Sequence, residues 1–482
     1  MTENRFSTRR VENLRQGRFE KKRERGSRMT SETQKPPRRY EKMRDSGVEW
    51  IGMVPENATI VRLKHLTAYI ESGTSVNAGQ SPAQNSEFGI LKTSCVSKFV
   101  FSPGENKSVN LDEYDRVHCP VCHNTIIVSR MNTPDLVGAC GYVDRDYPNL
   151  FLPDRLWQVH FKTSVNVKYL WYYLQSCAVR QYYASLATGT SSSMQNISQQ
   201  QFLNVPVVLF PDTFAFQIVS FLDNKCQQID ALIAEARASI EEYKTWKASI
   251  IYEAVTKGLD PHAEMKDSGV KWIGEIPAAW STCALKRLTV KIGSGKTPLG
   301  GAETYTSHGV LFLRSQNIYD TGLRLDNASY ISPEVNESMK NTQVEPGDVL
   351  LNITGGSIGR CCVYDLDGIV ANVNQHVCII RTKQEILRPQ YLRYFWNSAA
   401  GPMVISQCQT GGNRPGLNFE QIGSVKIPLC NIASQDSIIK YLDSKTHDID
   451  SLIQEKQSLI SDLESYKKSL IYEVVTGKRK VI

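Results

Sequence analysis

Across residues 214–256 the chain contains neither Gly nor Pro, and apolar side chains recur at Ile218, Leu222, Ile229, Ile233, Ala236, Ile240, Tyr243 and Ile250. The steps trace a seam with a period of about 3.5 residues, with Lys225 and Lys247 at two of its places, and predict one long helix with a single apolar stripe. A second segment keeps the register at Ile438, Leu442, Ile449, Ile453, Ile460, Leu463 and Leu470. A helix of this kind extends about 64 Å at roughly 1.5 Å per residue, too far for one small globule to cover. Each stripe therefore needs the other, and a coiled coil is expected.

The rest of the chain alternates short apolar runs with polar, Gly-containing turns. Residues 125–128, 205–209, 349–351 and 377–380 read as strands, and YLWYYLQS (169–176) and YLRYFWNS (391–398) read as matching short helices. The class is α+β, with irregular sheets.

These elements occur twice. MRDSGVEWIGMVPENATIVRLKHLTAYIESG (43–73) returns as MKDSGVKWIGEIPAAWSTCALKRLTVKIGSG (265–295), with 16 of 31 positions identical. IDALIAEARASIEEYKTWKASIIYEAVT (229–256) returns as IDSLIQEKQSLISDLESYKKSLIYEVVT (449–476), with 13 of 28 identical. The offsets of 222 and 220 residues far exceed a solenoid period, so each copy is domain-sized. The expected boundaries are a basic extension (1–42), a mixed domain (43–210), a long helix (211–257), a second mixed domain (258–432), a second long helix (433–478) and a short tail (479–482). Only KGLDPHAE separates the first helix from the second copy, so that domain sits where the helix ends. A pseudo-twofold relation between the copies then places the first domain at the end of the second helix. It predicts antiparallel pairing of the helices and a nearly circular arrangement.

Composition narrows the class. The chain has no run of 18 apolar residues and no hydrophobic segment behind its basic N-terminus, so a soluble, cytoplasmic protein with no membrane partner is expected. The 12 cysteines are scattered, which suits reduced thiols. The formal charge of +7 resides in the extension, since residues 1–42 carry +8 and the remainder −1. Any affinity of the folded body for nucleic acid must therefore come from local patches. The extension itself is poor in apolar residues, and disorder is expected there.

The copies diverge in matched polar segments. TGTSSSMQN (188–196) and TGGNRPGLN (410–418) share their ends but not their middles, and their small hydroxyl, amide and Gly positions suit close approach to phosphates. The candidates there are Thr188, Gly189, Thr190 and Ser191, and Thr410, Gly411, Gly412, Asn413 and Arg414. LKTSCV (91–96) against LRSQNI (313–318) sets Lys92 opposite Arg314, Ser94 opposite Gln316 and Cys95 opposite Asn317. Arg suits guanine and Gln or Asn suits adenine, so the second copy is the better equipped for direct base readout. A third pair of turns, SRMNTPDLVG (129–138) and NITGGSIG (352–359), adds Arg130 and Asn132, and Thr354, Gly355 and Ser357.

Motifs for catalysis are absent or incomplete. GSGKT (293–297) lacks the upstream Gly of a phosphate-binding loop, because Val290 stands there, and the first copy has no Lys at the matching place. Cys119, Cys122 and His123 in HCPVCH have the look of a zinc knuckle, with Cys140 or His160 as completing ligands. No second CxxC follows at ligand spacing, and no metal site is expected. The sequence also lacks HExxH, GxSxG and a glycine-rich methyl-donor motif, so no catalytic residue is assigned.

The DSGVEWIG and DSGVKWIG openings, the SG that follows each, the Thr-Gly loops leading to VPVVLFP and KIPLC, and the helices ending SIIYEAVTKG and SLIYEVVTGK resemble the specificity subunit of type I restriction-modification systems. The resemblance covers about residues 43–480. It implies two target-recognition domains, each reading one half of a bipartite, asymmetric site in double-stranded DNA. It implies an antiparallel coiled coil that docks two methyltransferase subunits and, through them, two restriction (helicase-nuclease) subunits. It further implies that the chain is not an enzyme and holds no cofactor, with S-adenosylmethionine, ATP and Mg on the partner subunits. The rival expectation is a protein-binding coiled-coil scaffold without sequence-selective DNA binding.

Overall fold

The computed structural model describes residues 39–84, 86–191, 194–408 and 416–481. The chain divides into two compact units, Met1–Ile233 with Ser461–Ile482, and Ala234–Ile460. Each unit thus joins one mixed domain to part of both long helices, which span Asp212–Lys257 and Ile432–Val475. Among the described residues no helix is long and apolar enough to cross a membrane.

Both units contain the same two sheets in the same strand order. In the first unit one sheet runs Cys140–Tyr142, Ile126–Ser129, Leu156–Phe161, Thr67–Ser72, all antiparallel. Its counterpart in the second unit runs Cys361–Val363, Val349–Asn352, Val377–Thr382, Thr289–Ser294. The other sheet orders Asn106–Ser108, Gly89–Leu91, Tyr147–Phe151, Pro120–Val121, and in the second unit Ser329–Ile331, Val310–Leu313, Ala371–Val373, Gln343–Val344. Its two middle strands are parallel in both units.

The apolar strands are buried on both faces. In the second unit Leu350, Cys362 and Ile379 share a core with Leu311, Leu313, Val344, Ala371 and Val373 of the other sheet. Val349, Leu351, Cys361, Cys378 and Ile380 belong to a different core, shared with the helix Pro389–Asn397 and with Ile251, Ala254 and Val255 of the long helix. A period of two therefore sends successive residues into two cores, which is why these strands read as unbroken apolar runs. The SG after each repeated opening also has a packing cause. A Cβ on Gly73 would lie 1.5 Å from Leu152 O and one on Gly295 1.6 Å from Val373 O, so backbone crosses backbone where only Gly fits. The GSGKT run is thus the end of the strand Thr289–Ser294 and the crossing that follows it.

Within each unit the long helices run antiparallel. In the first, Asp230 pairs with Lys467 at 2.7 Å, and the buried Tyr169 hydroxyl lies 2.6 Å from Val208 O and 3.0 Å from Val475 O. In the second, Lys247 pairs with Asp450 at 2.7 Å, and the Tyr391 hydroxyl lies 2.8 Å from Val255 O and 3.1 Å from Pro428 O. Lys247 and Lys467 are repeat partners, as are Asp230 and Asp450, so the duplication exchanges the two members of one ion pair. The repeated WIG openings also take part: the Tyr252 hydroxyl donates to Trp272 O at 2.8 Å, and that of Tyr472 to Trp50 O at 3.4 Å.

Ile218, Leu222, Ile229, Ile233, Ala236, Ile240 and Tyr243 are buried, as are Ile438, Leu442, Ile449 and Leu470. Three assignments are corrected. Lys225 is exposed and Cys226 takes its place in the seam, because a helix of about 3.6 residues per turn drifts from a strict heptad. Ile251 is buried where Ile250 was expected, leaving Ile250 half-buried. Ile453, Ile460 and Leu463 are only half-buried. The second helix also ends at Val475, short of residue 478, where Gly477 adopts φ 73° and Lys478 N–H bonds back to Glu473 O at 2.7 Å.

Candidate nucleic-acid interface

The matched polar segments emerge from corresponding strand ends. In the first unit Thr188–Ser191 and Met194–Asn196 form a hairpin, whose second strand pairs with Met131–Asn132. Arg130, Asn132, Thr188, Gly189, Thr190 and Ser191 are thereby brought to one small sheet. Thr188 and Gly189 are exposed, and Arg130 is half-buried with its Nε unpartnered. Asn132 accepts from Thr133 N–H at 2.9 Å and donates to Ser129 Oγ at 3.3 Å.

Lys92 and Ser94 are engaged elsewhere. The Ser94 hydroxyl donates to Glu105 at 2.6 Å, and Lys92 Nζ lies 3.9 Å from the same oxygen. A carboxylate beside them weakens any attraction to phosphate, so the first copy's version of this segment is the poorer anion site.

The second unit differs. Gln316 is exposed and Arg314 half-buried, but Asn317 is only 2% exposed. Its Oδ1 accepts from Arg314 N–H at 3.0 Å and its Nδ2 donates to Arg324 O at 2.8 Å, which leaves no free edge for a base. Asn317 is therefore a turn-holding residue, correcting its expected role as a base reader. A second buried amide, Asn352, donates to Ser315 O at 2.8 Å and to Ser357 Oγ at 3.2 Å, tying this turn to the segment carrying Thr354, Gly355 and Ser357. Thr354 pairs with Gly416 in an isolated bridge, and its hydroxyl lies 2.6 Å from His376 Nδ1. Thr410, Gly411, Gly412, Asn413 and Arg414 lie outside the described residues.

Three residues here escaped the sequence reading. Ile318–Tyr319 and Gly322–Leu323 form a two-stranded ribbon, and Tyr319 carries Arg324 at 3.8 Å and Arg360 at 4.7 Å from its ring centroid. Arg314 lies 5.4 Å from the ring of Tyr305. None of the three arginines forms an ion pair with a carboxylate among the described residues. The available signal was NIYDTGLR, an aromatic, a turn Gly and an Arg in close succession. Arg360 follows directly after GSIG, where the candidate segment stopped.

HCPVCH does not assemble a metal site: among the described residues no three His, Cys, Asp or Glu side chains converge to hold an ion. His160 bonds Glu71 at 2.7 Å and stacks on Tyr69, and Cys140 is wholly buried. Burial, reinforced by Glu71, pushes the Cys119 thiol up to about 12.

Known proteins resemble this chain in sequence and in fold. The model of the type I restriction modification DNA specificity domain matches residues 280–461. The chain is 26% identical over 294 residues to the type I restriction enzyme MjaVIII specificity subunit of Methanocaldococcus jannaschii, covering 60% of this chain and 66% of that protein. It is 23% identical over 181 residues to the EcoEI specificity subunit of Escherichia coli, covering 36% of this chain and 30% of that one. The chain thus spans no more than about two thirds of the length of these two relatives. A solved chain described under complex assembly and conformational transition of the type I R-M system shares the fold, with a TM-score of 0.64 at 14% identity, covering 88% of this chain and 98% of that one.

Proposed function

We propose that this chain, which belongs to the family of type I restriction-modification specificity subunits, reads a bipartite, asymmetric sequence in double-stranded DNA, one half with each mixed domain. The observation that carries the reading is the duplication itself. One two-sheet scaffold is built twice with identical strand order, while the polar segments at matched strand ends differ in both residue type and charge pairing. A scaffold kept constant under diverging loops is the arrangement expected where two copies meet two different ligands.

The chemistry then lies with other chains. In this reading the paired helices dock methyltransferase subunits and, through them, restriction subunits. S-adenosylmethionine, ATP and Mg belong to those partners, and this chain supplies position and selectivity. Co-expression with a methyltransferase subunit, followed by single-molecule methylome sequencing, should reveal one split methylated motif. Exchanging residues 272–432 for those of another family member should alter one half of that motif and leave the other intact. A change in both halves, or no split motif at all, would overturn the assignment of one half to each domain.

A further inference from the structure

We propose that Arg324 and Arg360 of the second unit form a phosphate clamp, seated on the ring of Tyr319, that grips the duplex through its backbone. The proposal rests on the DNA-reading role above and names which cations of that domain meet phosphates. Both guanidiniums lie against one aromatic ring, at 3.8 Å and 4.7 Å from its centroid. Neither guanidinium forms an ion pair with a carboxylate among the described residues, although Asp320 lines the same cavity as Arg360, and two like charges on one ring repel each other, which an anion relieves. Asp320, next to Tyr319 in the chain, has its carboxylate on Cys361 N–H at 3.3 Å.

The backbone beneath the clamp is fixed from several directions. Arg324 N–H donates to Asn317 O at 2.9 Å, and Arg324 O accepts from the Asn317 side chain at 2.8 Å. Arg360 O accepts from Asn352 N–H at 2.9 Å. Two buried asparagines thus fix the backbone of both arginines before any ligand arrives, which lowers the ordering cost of binding.

Phosphate is favoured over base edges because of what a duplex presents side by side. Two adjacent guanidiniums meet adjacent phosphates on every sequence, but adjacent guanines only on some. A planar guanidinium stacked on an aromatic face keeps its edge free for paired bonds to phosphate oxygens. The first unit has no equivalent, because Ser97, Ser102 and Ala139 occupy the positions matching Tyr319, Arg324 and Arg360. The clamp therefore acts on the second half-site alone.

The test is fluorescence anisotropy of the full chain with a random-sequence duplex, titrated over about 50–200 mM salt. Replacing both arginines (R324Q with R360Q) should weaken binding to all sequences alike. It should lower the slope of log affinity against log salt by about 1.8, at roughly 0.9 for each phosphate no longer neutralised. The paired lysine variants R324K and R360K should keep most of the slope. Y319A should lower it, and Y319F, which retains the ring, should not. An unchanged slope with intact duplex binding overturns the clamp alone, as does a loss confined to particular sequences, which would mark base readers. Absence of duplex binding by the unaltered chain overturns the clamp together with the DNA-reading role.

Discussion

Each long helix ends in a glycine with positive φ, and the two ends are packed differently enough to give unequal responses to one substitution. Gly258 adopts φ 74° and Gly477 φ 73°. Alanine in this left-handed conformation costs roughly 1–2 kcal/mol, of which the stiffer unfolded chain returns about 0.4–1 kcal/mol. At Gly258 the added methyl would meet Trp280 no closer than 3.1 Å, so Gly258→Ala should cost about 1 kcal/mol in all. At Gly477 it would lie 2.3 Å and 2.5 Å from the Pro55 ring atoms and 3.0 Å from Phe210. Relieving that overlap adds about 1–3 kcal/mol, so Gly477→Ala should cost about 2–4 kcal/mol. The chain has two units, so global unfolding is a poor measure, and local opening by hydrogen exchange is the better one. The amides to follow are Gly258, bonded to Ala254 O, and Thr476 and Lys478, bonded to Tyr472 O and Glu473 O. At roughly 1.4 kcal/mol per tenfold, exchange should accelerate about 5-fold near Gly258 and about 30-fold to 1,000-fold near Gly477. Equal acceleration at the two sites would refute the packing of the C-terminal segment against Pro55 and Phe210.

Two further outcomes follow from buried and paired groups. Tyr169, Tyr183 and Tyr391 are fully buried, and burial holds each phenol well above its ordinary value of 10.0. The unfolded chain releases these protons above that pH while the folded chain keeps them, so their contribution is complete below about pH 10 and is lost above it. Each group should remove about 1.4 kcal/mol from the stability of its own unit per pH unit, and a spectrophotometric titration of the folded chain in which every tyrosine ionises near pH 10 would contradict their burial. For the ion pairs, double-mutant cycles should give about 0.5–1 kcal/mol of coupling for Lys247 with Asp450 and for Asp230 with Lys467, both partly exposed. Zero coupling in both cycles would argue against the antiparallel register.

The sequence was most informative where physics is local or where it was written twice. Both long helices were legible because an uninterrupted seam with no Gly or Pro has one regular solution, and the observed Asp212–Lys257 lies within a few residues of expectation. Errors arose where geometry drifts from an ideal heptad, at Lys225 and Cys226, or where the neighbouring surface decides burial, at Ile453 and Ile460. Matched strands and short helices were visible as apolar runs, but their order was not. A run such as 349–351 has the same composition whichever strand it pairs with, and only long-range pairing selects between Val377–Thr382 and another partner.

The interface shows the same division. Divergent segments between constant ones singled out the candidate segments, since that is a property of the duplicated sequence alone. Which side chains remain available was a tertiary matter. Asn317 appeared free and proved to be fastened at both ends of its amide, Lys92 appeared free and lies beside Glu105, and Arg324 and Arg360 became neighbours only when a short ribbon folded against Cys361–Val363. The repeat and the helical period determined what the chain is built from. Hydrogen bonds and charge pairings between residues distant in sequence decided which groups are left over to bind, because only the closed fold establishes which polar atoms already have partners.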